Sequence, residues 1–100
     1  MLIRMVHMHF AAENVDAFLA VFEESRNHIR AFPGCKHLEL LREKDDSCAL
    51  TTYSHWENAE ALENYRQSEL FSKTWAATKV LFDMAPRAVS YERVLFSDFG

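Results

Sequence analysis

Residues 1–31, MLIRMVHMHFAAENVDAFLAVFEESRNHIRA, contain a change of apolar period that decides the fold class. Over residues 2–10, apolar side chains alternate between the two faces of the chain, which is typical of a β-strand. Over residues 14–31 they recur at three- and four-residue spacing, which predicts an amphipathic helix with Asn14 as its N-cap. The chain therefore begins with a strand followed directly by a helix.

The remaining elements follow from the residues that end helices and form turns. Phe32-Pro33-Gly34 ends the first helix, because proline restricts the residue before it and glycine permits a tight turn. Alternating segments then predict two strands joined by a polar hairpin connection. A second helix is capped by Asn58, breaks near Ser68 and runs to Pro86. The predicted strands after the turn are 35–42, 48–56 and 87–96.

The element order is β-α-β-β-α-β, which indicates an α+β, ferredoxin-like fold. In this topology one four-stranded antiparallel sheet carries both helices on a single face. A chain of 100 residues has the length of one compact domain. We therefore expect a single domain over residues 1–100, with its core within about residues 1–96.

The sheet face opposite the helices is predicted to be too apolar to face water. Strand alternation places Ile3, Met5, Leu41 and Tyr53 on that face. Their exposure would form a large apolar patch. A second copy packed sheet against sheet would cover it, so we expect a homodimer.

Composition excludes several classes of function. The formal net charge is −4 and the basic residues form no run, which argues against a nucleic-acid surface. The N-terminal segment is too short and too alternating for a signal peptide or a membrane span, so we expect a cytoplasmic protein with no membrane contact. In a reducing compartment, Cys35 and Cys48 are expected to be free thiols.

Three stretches resemble the antibiotic biosynthesis monooxygenase family, whose members are dimeric α/β barrels. These stretches are FPGC (32–35), HLELLRE (37–43) and TYSHWENAEALENYRQSELFSKTW (52–75). The third contains a strand-ending Trp56, an acidic helix start followed by Ala61-Leu62, and then Ser68 with Phe71. The resemblance covers residues 1–95.

The resemblance implies a cofactor-independent monooxygenase that oxidises a small phenolic, quinol or polycyclic aromatic molecule with O2. It leaves two alternatives open, because a shared fold does not fix chemistry. One is a non-catalytic dimeric module that binds a small molecule or serves in stress, and the other is an isomerase acting on a small signalling molecule. Haem degradation is disfavoured, because Val6 and Trp75 stand where that branch of the family uses Asn and His.

Aromatic residues and one arginine form the predicted substrate site. An indole N–H seeks a polar partner such as a substrate oxygen, and an arginine can hold a substrate anion. The alternative is that most of the aromatic side chains simply form the core, and that Arg66 pairs with Glu63 or Glu69. The predicted substrate-binding residues are Trp56, Tyr65, Arg66, Phe71, Trp75 and Phe82.

Histidines are the candidate catalytic bases. An imidazole with a pKa near 6.5 suits removal of a phenolic proton at neutral pH, and His7 or His37 is predicted to serve this role. The electron-rich anion could then reduce O2 directly, so no cofactor is expected. The pair His7 and His9 could chelate a metal, but no acidic or thiol ligand is fixed nearby, and we predict no metal site.

Overall fold

The computed structural model describes residues 1–98, so the last two residues of the predicted domain lie outside the described residues. The elements occur in the predicted order, with the second helix split in two. A short 3₁₀ turn at Ala12–Asn14 precedes the first helix. The elements are β1 (Leu2–His9), α1 (Val15–Arg30), β2 (Cys35–Glu43), β3 (Asp46–Trp56), α2 (Ala59–Arg66), α3 (Glu69–Lys79) and β4 (Arg87–Glu92).

The four strands form one antiparallel sheet in the order β2-β3-β1-β4. This order is that of the ferredoxin-like fold and confirms the predicted fold class. Along β1, the register sets Leu2 opposite Trp56, Arg4 opposite Ser54 and Val6 opposite Thr52. These residues share the face that is covered by the helices, and we call it the inner face. Ile3 and Met5 point to the other side, the outer face.

The second helical region is divided as the sequence predicted. The Asn58 side chain accepts a hydrogen bond from the Ala61 N–H at 2.8 Å and caps α2. Ser68 Oγ accepts from the Phe71 N–H at 3.1 Å and caps α3. Each cap satisfies a helix N–H that has no partner within its own helix. The break near Ser68 is thus confirmed.

One predicted helix boundary differs from the structure, and the predicted N-cap Asn14 precedes α1 without a side-chain capping bond. α3 ends at Lys79 rather than at Pro86, because Phe82 forms an isolated antiparallel bridge with Phe10. The Asn14 side chain makes no capping bond and donates instead to the Leu81 carbonyl at 3.3 Å. Both differences arise from contacts between the start of α1, the end of β1 and the segment after α3, which local pattern does not reveal.

The ends of three strands also differ slightly from the prediction. β2 and β3 extend to Glu43 and back to Asp46, so the hairpin connection is shorter than expected. β4 stops at Glu92 rather than Phe96, and Val94 and Leu95 beyond it are exposed. Pairing with β1 also ends here, since Glu92 lies opposite Leu2. The length of β4 therefore follows from where its partner β1 begins.

The turn after α1 requires glycine. Gly34 has φ of +90°, a conformation that side-chain-bearing residues rarely adopt. A β-carbon at this position would also meet the Ala61 side chain on α2. Gly34 therefore serves both the turn and the close approach of α2, in agreement with the predicted helix stop.

Two separate clusters of buried residues form the core. The first contains Met8, Phe10, Phe18 and Leu50, and the second contains Cys35, Trp56 and Leu62. Cys35 and Cys48 are both free thiols, as predicted. Within residues 1–98, none of the helices has the length and apolarity needed to cross a membrane.

Candidate functional site

A cavity of about 310 Å³ lies between the inner face of the sheet and the helices. It separates the two core clusters, since its lining includes Met8 and Phe18 from the first and Trp56 and Leu62 from the second. Such a volume lies at the lower end of the range for small-molecule sites. The cavity therefore lies between the two clusters of the core.

Aromatic side chains form one wall of the cavity. Trp56 stacks on Tyr65 with ring centroids 5.0 Å apart, and Tyr65 meets the edge of Phe71 at 5.3 Å. Phe71 in turn stacks on Trp75 at 5.9 Å with an interplanar angle of 9°. The break at Ser68 allows α2 and α3 to contribute to the same wall. We call these four residues the aromatic wall.

Trp56 lies at the closed end of this wall, with 1% of its surface exposed. Its indole Nε1–H donates to Ser54 Oγ at 3.0 Å. The sequence suggested a substrate oxygen as the partner of this N–H, and the structure supplies Ser54 instead. Trp56 therefore contributes a ring face to the cavity, and its donor is already satisfied.

Tyr65 is the titratable aromatic residue of the wall. Burial, with a smaller effect from Cys35, raises the pKa of its phenol to about 12. The hydroxyl therefore stays protonated at neutral pH and can act as a hydrogen-bond donor. It is not suited to removing a proton from a substrate at that pH.

Two arginines are the charged residues of the lining, and no carboxylate lines it among the described residues. Arg66 donates to Glu63 at 3.3 Å, which is the ion pair expected from the sequence as the alternative to substrate binding. Arg4 donates to the Ser90 hydroxyl at 3.0 Å. Burial lowers the pKa of Arg4, and the nearby charge of Arg66 lowers it further.

Sequence reasoning missed Arg4 as a site residue. It lies at an inner-face position of β1, between Leu2 and Val6, where an apolar residue would be expected. This charged residue in an otherwise apolar inner-face pattern is the feature of the sequence that could have identified Arg4 as a site residue. A charged residue on the covered face of a strand is uncommon unless it has a partner or a function.

The model of the antibiotic biosynthesis monooxygenase family matches residues 1–77 of this chain. The chain belongs to that family. No curated protein matched the sequence. Membership confirms the family predicted from the FPGC and strand-ending Trp56 motifs, while activity and substrate have to be argued from the site.

Solved structures share the fold, and two of the three described next carry the name of this family. A crystal structure of an antibiotic biosynthesis monooxygenase superposes with a TM-score of 0.89 at 19% identity, covering 95% of this chain and 100% of the other. A candidate family member from Deinococcus radiodurans gives 0.89 at 16% identity, covering 100% and 99%. A conserved protein from Methanosarcina mazei gives 0.87 at 18% identity, covering 93% of each chain. At these identities the likeness shows the fold.

The structure brings five of the six predicted substrate-binding residues of this family member together. Trp56, Tyr65, Arg66, Phe71 and Trp75 all line the cavity. Phe82 does not line it. Its ring lies 5.2 Å from that of Phe10 and 5.6 Å from that of Trp75, so it packs behind the wall as part of the core.

The structure places the two predicted catalytic histidines on the outer face, away from the cavity. His7 Nδ1 lies 3.1 Å from Thr51 Oγ1, and His37 Nε2 lies 2.7 Å from Glu39. Neither residue lines the cavity, and no other histidine does among residues 1–98. A catalytic role for His7 or His37 thus stays a prediction, and the cavity offers it no geometric support.

Aromatic and imidazole rings surround His37 on the outer face. Its ring lies 4.9 Å from that of His55 and 5.6 Å from that of Tyr53. Burial lowers the pKa of His55, and the positive charges of His37 and Arg93 lower it further. The His55 Nε2 atom is buried without a hydrogen-bond partner among the described residues. We call His37, Tyr53 and His55 the outer-face ring cluster.

His9 occupies a third environment at the end of β1. Its Nδ1 lies 2.7 Å from Asp83 and its Nε2 lies 2.9 Å from Asp46. It thereby joins the β2–β3 hairpin to the segment that follows α3. Within residues 1–98, the histidines, cysteines and carboxylates form no group of three or more arranged to hold a metal ion.

Proposed function

We propose that this protein is a cofactor-independent monooxygenase that oxidises a small phenolic, quinol or polycyclic aromatic molecule with O2. One observation carries the proposal: the cavity of about 310 Å³ has an aromatic wall along which a flat ring can stack. Offset stacking of aromatic rings at such centroid distances is favourable. Membership of the antibiotic biosynthesis monooxygenase family supports the same reaction class.

The proposed chemistry uses the electron-rich anion of the substrate. Such an anion donates one electron to O2, and the resulting radical and superoxide combine to a peroxide. For a methylene carbon between aromatic rings, the peroxide loses water and leaves a carbonyl group. Two C–H bonds are replaced by one C=O bond, and the second oxygen atom leaves as water. The protein's part is to bind the anion in a cavity from which bulk water is largely displaced.

Oxygen uptake tests this proposal. Metal-free protein is supplied with hydroquinones and anthrone-type phenols, and uptake is compared with the rate of autoxidation. We expect enhanced uptake that Trp75→Ala reduces at least tenfold, because this change removes part of the aromatic wall. Met84→Ala is the matched control, since Met84 is 60% exposed and lies outside the lining.

His7→Ala separates two versions of the mechanism. If the cavity alone carries the reaction, His7→Ala retains uptake, because His7 faces away from the cavity. Loss of uptake in His7→Ala would favour the histidine base predicted from sequence. No uptake above autoxidation with any substrate would contradict the monooxygenase proposal and favour a binding module. Turnover without oxygen would favour an isomerase.

We further propose that a second copy of the chain covers the outer face. Leu41 and Tyr91 are 39% and 42% exposed there, and the outer-face ring cluster leaves His55 Nε2 without a partner among the described residues. A two-fold dimer packed sheet to sheet would bury this apolar surface. Sedimentation equilibrium should give twice the chain mass of 11.7 kDa.

A charge on the outer face tests the dimer. Leu41→Glu is expected to shift the mass to that of a monomer, because it would bury a carboxylate against an apolar partner. Val80→Glu is the control, since Val80 is 72% exposed and follows α3, outside the sheet. A monomeric parent protein, or a dimer unaffected by Leu41→Glu, would contradict the proposed interface.

A further inference from the structure

The charge of the cavity is opposite in sign to that of the whole protein. The chain carries a formal net charge of −4, yet the charged residues of the cavity lining are Arg4 and Arg66. Charge of one sign in a cleft with low-dielectric walls attracts ligands of the other sign. The lining is otherwise apolar or uncharged, so this positive charge is confined to one part of the cavity.

The two arginines line the cavity and are also in contact with solvent. Arg66 is at the C-terminal end of α2, with 46% of its side chain exposed. Arg4 reaches across β1 to Ser90 on the edge strand β4. Ala88, also on β4, is exposed and lines the cavity. A ligand whose ring stacks on the aromatic wall would therefore carry its polar end toward this side.

Arg4 has no carboxylate partner of its own. Among the ion pairs of residues 1–98, Arg66 is paired with Glu63, and Arg4 is not in any pair. Its hydrogen-bond partner is a neutral hydroxyl. Burial and the charge of Arg66 lower the pKa of Arg4, and the charge of Glu63 offsets them only in part, so this cation is left destabilised by desolvation and by like-charge repulsion. A bound anion would relieve both effects.

We propose that Arg4 and Arg66 form an anion subsite, so that the cavity binds an aromatic molecule carrying an ionised acidic group such as a carboxylate or phenolate. The planar guanidinium groups suit such oxygens because they can donate two parallel hydrogen bonds. The inference rests on the proposed function only in placing the substrate in the same cavity. It also explains how a substrate could be held as its anion without a histidine in the lining.

Calorimetric titration with two ligands of the same ring system tests the subsite. The probes are 2-naphthoate, an anion at pH 7, and the neutral 2-naphthamide. We expect naphthoate to bind at least about tenfold more tightly, as charge-assisted hydrogen bonds exceed neutral ones in strength. Arg4→Met should reduce this preference by weakening naphthoate binding more than naphthamide binding, and the naphthamide binding that remains shows that the cavity is intact.

Two further variants complete the design. Arg66→Met removes a charge from an exposed helix end, so it tests the subsite even if Arg4→Met does not fold, and it should weaken naphthoate binding alone. Arg26→Met is the control, because Arg26 is paired with Glu23 on α1 and does not line the cavity. Equal binding of both ligands, no binding of either, or a preference that survives both cavity variants would overturn the subsite.

Failure of the anion subsite and failure of the monooxygenase proposal give different results. A preference for naphthoate that depends on Arg4, without oxygen uptake on any phenol, supports the subsite and contradicts the oxygenase. Oxygen uptake that Arg4→Met and Arg66→Met leave unchanged, with equal binding of the two naphthalene ligands, overturns the subsite and leaves the oxygenase standing.

Discussion

The indole Nε1–H of Trp56 donates to the Ser54 hydroxyl at 3.0 Å, two residues earlier on the same inner face of β3. Trp56 is 1% and Ser54 6% exposed, so water cannot replace either partner. The Ser54 hydroxyl in turn donates to the Arg4 carbonyl at 3.4 Å. Trp56 is thus fixed to the floor of the cavity, and its position depends on a serine.

Ser54→Ala is expected to destabilise the protein. The change leaves the buried Trp56 N–H without an acceptor, which costs about 1–3 kcal/mol in the free energy of unfolding. Urea denaturation followed by tryptophan fluorescence measures this loss. Ser47→Ala is the matched control, because Ser47 is exposed near the start of the same strand and its loss should change the free energy by less than about 0.5 kcal/mol. Equal losses in the two variants would contradict the role assigned to Ser54.

Gly34→Ala is expected to destabilise the turn between α1 and β2. The new β-carbon would occupy a backbone conformation with φ of +90° and meet Ala61 on α2. We expect a loss of more than about 1 kcal/mol in the free energy of unfolding. Repeating the change in an Ala61→Gly background isolates the contact, and the penalty should be smaller there. If Gly34→Ala lowers the free energy of unfolding equally in both backgrounds, the contact with Ala61 contributes nothing and the loss comes from the backbone conformation alone.

His9→Gln is expected to remove a pH-dependent part of the stability. Hydrogen bonds to Asp83, and then to Asp46, raise the pKa of His9 in the folded protein. Its stabilising contribution is therefore complete below about pH 6.5 and is lost as the pH rises through the raised folded-state pKa. Thermal unfolding of the parent protein at a series of pH values should show this decline, and His9→Gln should not.

His28→Gln is the control for that series. His28 is exposed on α1, away from Asp46 and Asp83, so His28→Gln should retain the decline in stability above pH 6.5. The loss of stability at acidic pH has another origin. Hydrogen bonds from the Cys48 N–H and then from His9 lower the pKa of Asp46. That contribution is lost as the pH falls through the lowered pKa of Asp46. Parallel profiles for His9→Gln and the parent above pH 6.5 would contradict the role of His9.

Tyr65→Phe is expected to protect the fold at alkaline pH. Burial raises the pKa of the Tyr65 phenol to about 12, so the folded state resists ionisation that the unfolded chain permits near pH 10. The free energy of unfolding should therefore fall between about pH 10 and pH 12, and less steeply in Tyr65→Phe. Urea denaturation across this range measures the slope. Equal slopes in the parent and Tyr65→Phe would contradict the burial of this phenol.

The sequence alone determined the order of the elements and the face to which each strand residue points. Both are local properties: apolar period follows from backbone geometry, and Pro33 and Gly34 restrict the chain where they stand. The register also placed His7 and His37 on the same side as Ile3 and Met5. Their distance from the cavity was therefore implicit in the pattern, although their chemistry had suggested a place inside it.

The tertiary structure decided the site. That the core divides into two clusters with a cavity between them depends on how the helices sit on the sheet, which no local pattern encodes. The same holds for the Ser54 partner of Trp56 and for the bridge that draws Phe82 out of the helix toward Phe10. Arg4 became a site residue only when β4 and α2 came to lie beside it, because the charge of a cavity is the sum over elements distant in sequence.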